Sequence, residues 1–169
     1  MSLSGRQRRF RVLLWILLLL NMAAIFAFSA RTGSESTRTS DAILAAPKEA
    51  YEAAHPEKAN DERVYWWFQF IVRKGAHVLE FAALAVWATG LLVLYRARFF
   101  VLFGAGFAAL YALSDELHQS LVPGRDCRIT DWLIDCLGAL LGAAFVWLVY
   151  RRCKRRRLRG KGNAAERDA

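Results

Sequence analysis

Apolar positions gather in four runs, at residues 12–28, 75–95, 99–117 and 132–150, and polar residues collect at their ends and in the segments between them. About 20 largely apolar residues in a helix are needed to cross about 30 Å of hydrocarbon. Each run meets that length within a few residues, so the pattern predicts an all-α polytopic membrane protein with four transmembrane helices. Only residues 96–98 separate the second and third runs, which forces those two helices into an antiparallel hairpin. About a dozen residues join the third and fourth, with Pro123-Gly124 as the turn signal. The segment 29–73 reads as an outer loop rich in Ser, Thr, Ala, Glu and Lys; a short helix over 42–54 would require Pro47 in its first turn. Within it, residues 64–72 (Val-Tyr-Trp-Trp-Phe-Gln-Phe-Ile-Val) are too short to span and dense in aromatics. They are expected to form an interfacial helix before the second span, the alternative being the outer turn of a longer second helix. The membrane domain is thus residues 1–150, with a core at 74–150, followed by a basic tail at 151–169.

Charge sets the expected orientation. The chain is 56% hydrophobic yet carries a net charge of +9. Basic residues near span ends favour the cytoplasm. With both termini cytoplasmic, that side receives Arg6, Arg8, Arg9, Arg11, Arg96, Arg98 and the run Arg151, Arg152, Lys154, Arg155, Arg156, Arg157, Arg159, Lys161 and Arg167, against only Glu166 and Asp168. A basic tail directly after a span reads as a topological anchor touching anionic lipid rather than a nucleic-acid patch. The first run, preceded by arginines, is an uncleaved anchor rather than a signal peptide, because three more spans follow. Cys127, Cys136 and Cys153 form no Cys-x-x-Cys pair and imply no disulfide framework.

Ionisable residues inside a membrane span need a partner, water or protein around them, and so are functional candidates. His77 and Glu80 lie one helical turn apart near the outer end of the second run, just after Lys74. The third run reaches the same level at Asp115, Glu116, His118 and Gln119, and the fourth starts there with Asp131 and Asp135. The inner halves of these helices contain no ionisable residue. A shared polar pocket open to the outer face is therefore expected, with Lys74, Arg125 and Arg128 at its rim. Three chemistries suit the set. His77, Glu80, Asp115 and His118 include imidazole and carboxylate ligands for a divalent metal, although no known zinc spacing is present. The same four suit general acid–base work. Lys74, Glu116, Gln119, Arg125, Asp131 and Asp135 are the expected ligand-binding residues, and recognition of an anionic headgroup would fall to Lys74 and to Arg125, which offers a bidentate fork. The structural alternative is that ion pairs such as Lys74 with Glu80 or Arg125 with Asp131 only fix helix register. Gly138 and Gly142, with Gly104 and Gly106, are expected where helices approach closely.

Lys74-Gly75-x-His77-x-x-Glu80-Phe81, Ser114-Asp115-Glu116-x-His118-Gln119 with Pro123-Gly124-Arg125, and Asp131-x-x-x-Asp135-x-x-Gly138-x-x-x-Gly142 together resemble the VanZ-like family of bacterial integral membrane proteins. Arg31-Thr32 departs from the family, in which a Gln-Pro-like pair is common there. The resemblance implies a multi-pass protein of the bacterial cytoplasmic membrane and a link to low-level resistance to the glycopeptide teicoplanin. It prescribes no mechanism. The function expected is that of a cell-envelope protein whose outward pocket binds, and can modify, an anionic lipid or peptidoglycan-precursor headgroup. The partners expected are membrane lipids and such a precursor, with homo-oligomerisation open and nucleic acid excluded. The rival expectation is a non-catalytic scaffold whose polar cluster is structural.

Overall fold

In the computed structural model, residues 5–58 and 61–167 are described, with side chains to Arg159. The side chains of Lys161, Glu166 and Arg167, and all of Asp168, lie outside the described residues. The chain is all helical there: α1 (Gly5–Ser29), α2 (Gly33–Ala54), a one-turn segment Pro56–Lys58, α3 (Glu62–Leu94), α4 (Phe100–Gln119) and α5 (Ile129–Arg167). Four of these, α1, α3, α4 and the part of α5 up to Arg159, are long and apolar enough to cross a membrane.

Helix α3 is the centre of the assembly, packing on every other helix. The buried core joins Leu14, Leu18 and Ile25 of α1 to Phe81, Leu84, Ala85 and Leu91 of α3, Ala108 and Ala112 of α4 and Ala139 of α5. In lipid, apolar surface is no drive to association, so packing depends on close fit. Glycines supply that fit between α3 and α5. A Cβ on Gly138 would collide with the carbonyl of Val78, and one on Gly142 with that of Ala82. Gly104 of α4 likewise faces Thr89 of α3, whereas Gly106 has nothing near it and plays no such part.

The bundle has two chemically distinct ends. At one, Arg11 donates to the Leu94 carbonyl at 2.7 Å and stacks on the Tyr95 ring, and Phe100 meets Tyr150 edge-on. At the other, Ser29 of α1 reaches Asp115 of α4.

The segment 29–73 is not the loop that its composition suggested. Thr32 starts α2 with a capping box: its hydroxyl accepts from the Glu35 N–H at 3.3 Å, and the Glu35 carboxylate accepts from the Thr32 N–H at 2.8 Å. That Thr32 N–H holds the Glu35 carboxyl below its usual range. Pro47 falls in the interior of α2 rather than in a first turn, forfeiting the helical bond its N–H would have made to Ile43. The separate interfacial helix at 64–72 is also corrected. Asp61 caps α3 by accepting from the Arg63 N–H at 2.9 Å, and the helix runs unbroken through Gly75 to Leu94. Nothing between residues 72 and 75 is a strong breaker, so the aromatic stretch is the first third of a rod about 50 Å long at about 1.5 Å per residue. Asp41 of α2 pins that extension, accepting from the Tyr65 hydroxyl at 2.8 Å and from Gln69. The basic tail, likewise, continues α5 without a break.

Overpacking a tight site costs about 1–3 kcal/mol, while Gly to Ala in an open helical position gains about 0.5–1 kcal/mol. Gly142→Ala is therefore expected to lower the thermal unfolding midpoint in detergent, and Gly106→Ala to hold or raise it; equal midpoints would refute the close α3–α5 contact.

Candidate functional site

The turn between α4 and α5 is built before the site can form. Gln119 is the last residue of α4, and its carbonyl accepts from Val122 at 2.9 Å. Gly124 then adopts φ 75°, a left-handed conformation that suits glycine. The Pro123 carbonyl accepts from the Gly33 N–H at 3.2 Å, and a Cβ on Gly33 would strike Gly124. The turn is thereby strapped to the start of α2, which carries Arg125 over the end of α1, 3.4 Å from the Phe28 carbonyl.

Beneath the turn, the polar residues form two overlapping groups, with Lys74, His77, Gln119 and Asp131 in both. The first ties helices together. Asp115 is buried and accepts from the Ser29 hydroxyl at 2.8 Å and from Gln119 at 2.7 Å, joining α1 to α4. Glu116, also buried, accepts from the Arg128 backbone N–H at 3.1 Å, fixing the start of α5. Lys74 of α3 pairs with Asp131 of α5 at 2.6 Å. His77 Nδ1 lies 3.4 Å from Asp135 Oδ1, close enough for an ion pair but not aligned as a hydrogen bond. Asp135 is 0% exposed, and neither of its oxygens has a hydrogen-bond partner. A buried carboxylate with so little compensation is costly, and the His77 ring is its nearest counter-group.

The second group lines open space. One cavity of about 350 Å³ is walled by Lys74, His77, Gln119, Arg125, Arg128 and Asp131 with Arg73, Gln69 and Trp66. A second, of about 240 Å³, holds Glu80 together with Ser36, Thr39 and Ser40 of α2. Arg73, His77 and Arg125 line both. Lys74 is paired with Asp131 and Arg128 with Asp126 at 3.0 Å, but Arg73 and Arg125 form no ion pair among the described residues. Burial, and then the Arg73 charge, pull the Arg125 guanidinium below its usual value, while Asp115, Glu116 and Asp131 pull the other way.

His118 stands apart. Its ring stacks on Phe26 of α1 at 4.6 Å and lines neither cavity. The set His77, Glu80, Asp115 and His118 does not converge as a metal site, and among the described residues no group of three His, Cys, Asp or Glu side chains does. The reason is directional: Asp115 is committed to Ser29 and Gln119, and His118 to α1. The expected pairs Lys74–Glu80 and Arg125–Asp131 are replaced by Lys74–Asp131 and by Arg125 on a backbone carbonyl.

A family model described as VanZ/LLP1 matches residues 14–150, which overlaps all four apolar helices and takes in every residue of both cavities. The chain belongs to the VanZ/LLP1 family. No curated protein and no solved structure matches it. Five site residues of this VanZ/LLP1 chain, Ser29, Arg73, Ser36, Thr39 and Ser40, escape a reading by spans. Ser29 is recognisable only through its tertiary contact with Asp115. Arg73 sits one turn before His77 and would have been found by extending the second helix backwards. The α2 serines and threonine follow from the Thr32-x-x-Glu35 cap.

Truncating a buried acceptor strands its donors at about 1–3 kcal/mol. Asp115→Ala is expected to lower the unfolding midpoint in detergent by more than His118→Ala does; the reverse order would show that the Ser29–Asp115–Gln119 tie is not what joins α1 to α4.

Proposed function

We propose that this VanZ/LLP1 protein binds the anionic headgroup of an envelope lipid or peptidoglycan precursor between Arg73 and Arg125, and that His77 is the acid–base group available to modify it. The observation that carries the reading is two half-buried guanidiniums, mutually repelling and without carboxylate partners, that face the same pair of cavities. An anion between them relieves both the desolvation and the repulsion, and guanidinium matches phosphate or carboxylate with paired donors. Lys74 and Arg128, already paired, set the rim. Asp135 orients the His77 ring; with Nδ1 turned to that carboxylate, Nε2 is the nitrogen left for a bound ligand. Glu80 and the α2 hydroxyls offer hydrogen-bond partners to the uncharged parts of the headgroup.

Both termini lie in the cytoplasm in this reading and the cavities open outward from a bacterial cytoplasmic membrane, because the arginine-rich end of the bundle favours the inner side. The family's link with teicoplanin susceptibility fits a protein that holds or alters an envelope component at that face. A second reading has support of its own: the Lys74–Asp131 and Ser29–Asp115–Gln119 contacts tie helices regardless of any ligand, as a scaffold requires.

Two measurements separate these. Native mass spectrometry of the purified protein is expected to show a co-purifying anionic lipid or precursor that Arg125→Gln and Arg73→Gln each reduce about tenfold or more, in keeping with about 1.5–3 kcal/mol for a charged hydrogen bond. Unchanged occupancy in both variants leaves only the scaffold. For orientation, Cys127 and Cys153 are both exposed, at opposite ends of the bundle. A membrane-impermeant maleimide applied to whole cells is expected to label a Cys127-only variant and spare a Cys153-only variant; the opposite pattern inverts the topology.

A further inference from the structure

A cavity of about 770 Å³, larger than either at the site, lies towards the basic end between the start of α4 and the middle of α5, residues 140–158. Its floor is apolar, formed by Leu102, Leu140 and Trp147, and its rim is Arg98, Arg151, Lys154 and Arg155. Aromatic rings fix the rim: Arg151 lies 4.5 Å over Trp147, Arg98 5.2 Å over Phe99, and Phe100 meets Tyr150 at 5.2 Å. None of the four cations forms an ion pair among the described residues. The sequence supplies no counter-charge either, because residues 81–114 and 136–165 contain no Asp or Glu. Four uncompensated cations above a lipid-accessible floor complement an amphiphile with a net negative head. Trp147 and Tyr150 stand at the end of the apolar stretch of α5, next to the basic run, the position in a span that such rings favour beside headgroups.

We propose that this groove is a binding site for one anionic phospholipid, with the phosphodiester held by Arg98, Arg151, Lys154 and Arg155 and an acyl chain laid on Leu102 and Leu140. A zwitterionic lipid carries its own cation next to the phosphate and leaves most of the rim uncompensated. The site is at the far end of the bundle from His77 and Arg125 and does not depend on what binds there.

The test compares two triple variants of the full chain in a non-ionic detergent. Arg98→Gln, Arg151→Gln and Arg155→Gln remove three of the four rim cations; Arg152→Gln, Arg156→Gln and Arg159→Gln remove the same charge from exposed positions of α5 that do not line the groove. Titrated phosphatidylglycerol is expected to raise the unfolding midpoint of the native protein and to appear as a one-lipid adduct in native mass spectrometry, with phosphatidylcholine and inorganic phosphate doing neither. The rim variant is expected to bind roughly fivefold more weakly per cation removed, and the control variant to bind like the native protein. Equal losses in both variants, equal binding of phosphatidylcholine, or a dimer in place of the lipid adduct would each overturn the proposal. Should the rim variant fail to insert, Arg151→Gln against Arg152→Gln gives the same comparison with a single charge.

Discussion

Backbone contact between α3 and α5 is the constraint on which the site depends. The two helices run in the same direction, since α4 reverses the chain once and the Pro123-Gly124 turn reverses it again. Val78 against Gly138 and Ala82 against Gly142 fix their register. Towards the polar end of the same seam, that register brings His77 to Asp135 and Lys74 to Asp131. Small residues thus do in lipid what a hydrophobic core does in water: they decide which polar groups meet.

Polar groups at this depth are satisfied unequally, and the inequality separates structure from chemistry. Asp115 is held by Ser29 and Gln119, and Glu116 by the Arg128 backbone N–H through one oxygen, its other being buried without a partner; both act as fasteners. Asp135 has the His77 ring as its nearest counter-group, while Arg73 and Arg125 line the cavities and form no ion pair among the described residues. Buried ionic groups that are incompletely matched cost stability, and a fold tolerates them where a ligand or proton completes the arrangement.

The sequence made the spans, the stratum of polar residues and the close-packing glycines legible because each follows from a local rule: run length, depth along a run, and small residues at i, i+4. Gly106 shows the limit, since one-dimensional spacing does not say which face of α4 meets a neighbour. His118 shows it again: three residues after Asp115, it is aimed by Phe26 on a different helix. The helix at 33–54 was hidden for another reason, as polar composition and an interior proline outweighed a capping box at Thr32 and Glu35 whose signal is four residues long. Arg73 is illegible for a related reason: the short aromatic stretch before it does not reveal, from composition alone, that it continues into α3.

Continuity of α3 has a further consequence. Arg73, Lys74 and His77 ride on one uninterrupted rod, and Arg125 on a turn strapped to the head of α2. Their backbone anchor points are therefore set by the fold, so that on the proposed reading the mouth acts as a gauge, favouring a guest whose charges match the separation of those anchors.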